Sequence, residues 1–139
     1  MFKQESIEGY PDLKIHIYEV TEDFSQLNNW FESCLEDIKW TEGTIKIFGK
    51  EHKIPRLQAW YADQNINYSY SGKKLVRNNW NKVLKEIKSN VEVITSVKFN
   101  SVLGNLYRNG SDSMGLHSDD EKELGSEPVI ASFSLGEER

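Results

Sequence analysis

A single cysteine, Cys34, is all the sequence holds, so no internal disulfide can form. That suits a reducing compartment. Cys34 sits inside a helix-like pattern and is read as a small packing group, not a nucleophile. No run of about 18 apolar residues occurs, so no membrane-spanning helix is expected. The opening MFKQESIEGY has no apolar signal core, and the expected location is the cytoplasm. No repeat, low-complexity tract or linker interrupts the 139 residues, a length that suits one domain with a real core. Net charge is −5, which taken whole argues against a nonspecific polyanion binder. Histidine is scarce: only His16, His52 and His117.

The charge that is present is unevenly spread. Lys73, Lys74, Arg77, Lys82, Lys85, Lys88, Lys98 and Arg108 face only Glu86 and Glu92, a net of +6 against −11 for the rest. A basic middle of this kind could supply phosphate contacts or be an ordinary solvated helix face. Hydropathy gives the elements. Leu13 to Val20 alternates as a strand, with His16 on the face away from Leu13, Ile15 and Ile17. Phe24, Leu27, Trp30, Phe31, Leu35 and Ile38 form one helical stripe, which Thr21 or Asp23 can cap. Thr44 to Phe48 and His52 to Ile54 read as a hairpin joined at Gly49-Lys50. Arg56 to Tyr61 is extended, 63–65 turns, and Tyr68 to Tyr70 is a short strand ending at Gly72. Asn79 to Val91 reads as a helix with Trp80, Val83, Leu84 and Ile87 inward. Phe99 to Tyr107 and Pro128 to Leu135 read as strands. With helices early and strands later, the class is α+β.

The chemistry concentrates in Asn105–Glu121, NLYRNGSDSMGLHSDDE. Its centre is His117-Ser118-Asp119. On an extended segment, side chains two residues apart point the same way, so an imidazole and a carboxylate can grip one metal ion. A third ligand from elsewhere would complete the 2-His-1-carboxylate face of non-haem iron(II) oxygenases. Gly115 and the turn at Asn109-Gly110 give the backbone freedom to present the pair. Alone, such a triplet is more often a solvated loop with a stray histidine. His16 and His52 lack ligand spacing.

Further blocks surround that triplet: Pro55-Arg56-Leu57-Gln58-Ala59-Trp60-Tyr61, Tyr68-Ser69-Tyr70-Ser71-Gly72, Phe99-Asn100-Ser101-Val102-Leu103, Asn105-Leu106-Tyr107, His117 to Glu121, and Ile130 to Gly136. In order and spacing they resemble the AlkB family of iron(II)/2-oxoglutarate dioxygenases, from about Ile47 to the last residue. The resemblance implies a double-stranded β-helix (jelly roll), incomplete at the C-terminus, with an N-terminal helix and hairpin layer. It divides the single domain into an N-terminal extension (1–45), a nucleotide-recognition region (46–98) and the first part of the jelly-roll core (99–139). It implies Fe(II) on His117 and Asp119, and 2-oxoglutarate as cosubstrate on Asn105 and Tyr107. Tyr70 would stack on a base flipped out of the helix, with His117 on its other side. Arg56 and Ser71 would lie near the nucleic-acid backbone or the displaced stack. Asp120 and Glu121 would touch the base edge or lock loops.

The implied reaction is oxidative dealkylation of alkylated DNA or RNA, releasing an aldehyde and succinate. A monomer is expected. The family's third ligand, a second histidine, and its 2-oxoglutarate-pairing arginines would fall beyond Arg139. The chain is therefore read as a fragment of an active parent, itself a weak iron binder. Two other readings stay open: a nucleic-acid-binding module without catalysis, and a dioxygenase acting on a protein or small molecule.

Overall fold

The computed structural model describes residues 2–7, 10–18, 24–67, 69–70, 73–117, 119 and 122–138. Strands β1 (Phe2–Ile7) and β2 (Tyr10–Tyr18) pair antiparallel as a separate ribbon, Gln4 opposite His16. β2 contains most of the expected first strand. β1 has no clean alternation of its own and is held by the ladder that β2 offers. Helix α1 (Phe24–Asp37) buries Trp30 and packs Leu27 and Cys34 against the core, while Phe24 and Leu35 face solvent. The expected caps Thr21 and Asp23 lie outside the described residues.

Strand β3 (Thr41–Ile47) turns directly into β4 (Lys50–Ala62). The expected hairpin forms, but its turn is Phe48-Gly49, one residue earlier than read, and Ile47 pairs with Lys50. Both turn residues have positive φ, 47° at Phe48 and 80° at Gly49. Two left-handed residues make the type I′ turn, whose twist matches that of the strands. His52 to Ile54 and Arg56 to Tyr61, read as separate pieces, are one long strand.

β4 is the centre of the main sheet. β3 and then the short parallel β7 (Arg77–Asn78) lie along one edge, and β8 (Ser101–Leu106) runs antiparallel along the other. The ladder breaks around Pro55. Glu42 pairs with Leu57 and Thr44 with Lys53, so β4 bulges between them, while β8 begins pairing only at Leu57. Proline has no N–H to give a ladder, so a bulge is where a central strand can hold one. β5 (Ser69–Tyr70) and β6 (Lys73–Lys74) form a separate small hairpin.

Helix α2 (Lys82–Thr95) starts at Asn81, whose side chain accepts from the Leu84 N–H, and ends at Ser96 in the left-handed conformation. Val83, Leu84 and Ile87 are buried as the stripe predicted. They join Trp30, Ile38, Ala59 and Tyr61 in one core, with Val102 packed against it. Alternation puts Ala59 and Tyr61 on the face of β4 that the helices cover, and 54, 56, 58 and 60 on the other. Buried aromatic N–H and O–H groups find acceptors or donors. Trp30 Nε1 donates to Glu86, Trp40 Nε1 to the Cys34 carbonyl, and the Lys39 N–H to the Tyr61 hydroxyl at 2.9 Å.

Elements interleave instead of running helices first, yet the class is mixed α+β as expected. The strand expected over Pro128–Leu135 does not form: these residues make no ladder among the described residues. Alternation supplies a face, but a strand also needs an edge to bond. Phe133 still packs on Trp30 edge to face at 5.9 Å, whereas Val129 and Ile130 are exposed. No helix among the described residues is long and apolar enough to cross a membrane.

Candidate active site

The bulge at Pro55 decides where the Asn105–Asp119 segment goes. Strand pairing leaves the Pro55 carbonyl free, and the Ser113 N–H takes it at 2.8 Å. The loop that follows β8 is thereby pinned to β4. Its first turn is closed by Asp112, which is buried. Asp112 accepts from the Arg108 backbone N–H at 2.9 Å and from the guanidinium through Nε at 2.7 Å and a terminal nitrogen at 2.9 Å. This bidentate contact holds the Arg108 pKa above its usual value. The expected turn at Asn109-Gly110 lies inside this clamp.

His117 and Asp119 share a face, with Nε2 3.3 Å from Oδ1. His117 Nδ1 is 3.0 Å from the Gly115 carbonyl. A carbonyl only accepts, so in the neutral ring Nδ1 carries the hydrogen and Nε2 keeps the lone pair. Donors about 2.0–2.2 Å from one first-row metal sit roughly 2.8–3.1 Å apart at a right angle and roughly 3.3–3.6 Å apart at the tetrahedral angle, so a pair 3.3 Å apart is close enough to face one cation. A metal-binding histidine held by a carbonyl through its other nitrogen is the usual second contact of such sites. The donor set therefore fits a divalent metal. No group of three or more His, Cys, Asp or Glu stands ready for a metal among the described residues, and His16 and His52 are exposed on β2 and β4.

Asn105 and Tyr107 flank the same loop. Asn105 lies opposite Gln58 in the ladder. Its Oδ1 accepts from Gln58 Nε2 at 3.2 Å and from Arg56 Nε at 2.8 Å. The Tyr107 hydroxyl is 3.8 Å from the Met114 sulfur. Arg56, expected against the nucleic-acid backbone, is instead only 5% exposed and also donates to the Ser113 carbonyl at 3.2 Å. Tyr70 has its backbone in β5, paired with Lys73, and its side chain is outside the description. Ser71, Asp120 and Glu121 lie outside the described residues.

Two features went unread in the sequence. Gln58, 3% exposed, is a second donor to Asn105; its place opposite Asn105 needed the register. Phe48 stands fully exposed at the β3–β4 tip. A phenylalanine directly before a turn glycine was the available signal. Half of the basic middle is in ion pairs. Lys98 and Lys88 both reach Glu92, at 2.7 and 3.7 Å, Lys82 reaches Glu86 at 3.9 Å, and Arg108 holds Asp112. An open groove of about 510 Å³ between α1 and α2, lined by Trp30, Lys85 and Glu86 among others, shares no residue with this site.

Residues 16–139 match the 2OG-Fe(II) oxygenase superfamily. The chain belongs to this superfamily. Within it the chain is an AlkB homologue. It is 38% identical over 109 residues to the human DNA oxidative demethylase ALKBH2, covering 76% of this chain and 42% of that protein. It is 41% identical over 109 residues to human alpha-ketoglutarate-dependent dioxygenase alkB homolog 3, covering 78% and 37%. The Arabidopsis thaliana ALKBH2 is 37% identical over 120 residues, covering 84% and 38%. The chain thus spans about two fifths of the length of these relatives. The superfamily implies Fe(II) and 2-oxoglutarate.

Proposed function

We propose that the polypeptide carrying this chain oxidatively dealkylates nucleobases in DNA or RNA, consuming 2-oxoglutarate and oxygen and releasing an aldehyde and succinate. The observation that carries this is the His117–Asp119 pair, 3.3 Å apart, with the imidazole oriented by the Gly115 carbonyl. His117 and Asp119 hold Fe(II) in this reading. Asn105 and Tyr107 orient 2-oxoglutarate from the strand end beside them. When bound, the metal and cosubstrate supply the oxidation of the carbon attached to the base nitrogen. The jelly roll that the superfamily implies would be built on the β4–β8 pair.

The chain's own share is to bind, orient and select. A base inside a duplex is out of reach, so an enzyme of this kind must extrude it. Phe48 supports the nucleic-acid reading. It is a bare apolar wedge at a hairpin tip, of the sort that inserts between base steps. Tyr70 stacks on the extruded base, and Ser71, Asp120 and Glu121 contact the nucleic acid around it. Lys85 is exposed and in no ion pair among the described residues, so it is free to supply a phosphate contact.

The test is turnover of a methylated oligonucleotide by the whole polypeptide, with Fe(II) and 2-oxoglutarate, measuring succinate and repaired base. Wild type should turn over and His117→Ala should not. Oligonucleotide binding without succinate would instead favour a non-catalytic binding module. Succinate formed only with protein or small-molecule acceptors would move the substrate class.

A further inference from the structure

A guanidinium buried to 5% exposure is costly unless its donors are used. Arg56 gives Nε to Asn105 Oδ1 at 2.8 Å and one terminal N–H to the Ser113 carbonyl at 3.2 Å. Guanidinium carries donors only. The Asn105 atom that meets it must therefore be the oxygen. Gln58 Nε2 donates to the same oxygen at 3.2 Å. Two donors on one oxygen fix the roll of the amide. The Asn105 NH2 group, which no described residue accepts from, is what the side chain has left to offer.

The second arm of Arg56 reaches the loop. Ser113 is held twice by β4: its N–H by the Pro55 carbonyl at 2.8 Å, its carbonyl by Arg56. Two residues later, Gly115 supplies the carbonyl that orients His117.

We infer that Arg56 is a positioning residue: one buried guanidinium, seconded by Gln58, turns the Asn105 NH2 outward as a donor for a dicarboxylate and holds the root of the His117–Asp119 loop. This rests on the proposed role of Asn105 toward 2-oxoglutarate. A carboxylate takes N–H donors and is repelled by a second acceptor oxygen, so the roll of this amide decides binding.

Two substitutions separate the role from simple folding. Arg56→Lys keeps the charge but puts one compact donor where a fork served two acceptors. Asn105→Asp keeps an oxygen for Arg56 and Gln58, now as a charge-assisted contact, and exchanges the outward NH2 for oxygen. In the whole polypeptide, 2-oxoglutarate binding is measured by anaerobic calorimetry with Mn(II) bound, and melting is measured without metal. The KM for 2-oxoglutarate and for oligonucleotide are compared in turnover.

Arg56→Lys should weaken 2-oxoglutarate binding about tenfold or more, the scale of one lost buried hydrogen bond, and raise its KM without raising that for oligonucleotide. Asn105→Asp should melt at or above wild type yet bind 2-oxoglutarate still more weakly. Wild-type affinity in both variants would overturn the inference, as would a lower melting temperature for Asn105→Asp. If Arg56→Lys fails to fold, Asn105→Asp decides alone. A wild type that binds no 2-oxoglutarate would defeat the proposed function itself, a result distinct from variants that bind normally.

Discussion

Phe48 is in the wrong conformation for its residue type, and that is testable. It sits at φ 47°, a region that costs an L-residue roughly 1–2 kcal/mol. Its ring is fully exposed, so no burial within the chain offsets the strain. Asparagine before glycine is the preferred pair for this turn. Phe48→Asn should therefore stabilise the protein by about 1 kcal/mol, or roughly 3–5 °C in Tm for a domain of this size. Strain retained at an exposed position is a mark of function. If the ring is a wedge, its removal forfeits stacking on the order of 1–3 kcal/mol, about five- to a hundredfold in affinity. The loss should fall on duplex substrate and spare single strands, where no step needs opening. The assay pairs thermal unfolding with turnover, by the whole polypeptide, of one lesion in both contexts. An unchanged or lower Tm would refute the strain estimate, and unchanged duplex turnover would refute the wedge.

Other expectations concern the scaffold. Lys98, then the Phe99 N–H, hold the Glu92 carboxyl below the usual range. A lowered folded pKa gives stability that is full above the unfolded value of about 4.3 and is lost as pH falls through the folded one. The Tm gap between wild type and Glu92→Gln should thus be largest near neutrality and close as pH drops below about 4; a gap independent of pH would count against it. Ile87→Ala removes a buried side chain between helix and sheet and should cost about 2–4 kcal/mol in urea unfolding, with less than about 1 kcal/mol refuting the packing. Burial, then Asp37, raise the Cys34 pKa. Its thiol should react with an aromatic disulfide far more slowly in the native protein than in denaturant, and equal rates would show it is not packed.

Periodicity and turn chemistry are local, so much of the framework was legible in the chain. The stripe from Leu27 to Ile38, the inward set Val83, Leu84 and Ile87, the β3–β4 hairpin and the strand that carries Asn105 all follow from side-chain spacing. The two-residue spacing of His117 and Asp119 marked them as a candidate pair, and the structure brings Nε2 and Oδ1 to 3.3 Å. What needed the tertiary structure depends on which edge meets which. Pro128–Leu135 alternates like a strand, yet it makes no ladder among the described residues. Arg56 was expected near the nucleic-acid backbone or the displaced stack, but it lies on a β4 bulge and is buried. Sequence alone specified the chemical groups of the candidate site. Only folding decided that one guanidinium links Asn105 to the loop of His117, because that link joins residues about fifty positions apart, through a register that no local pattern encodes.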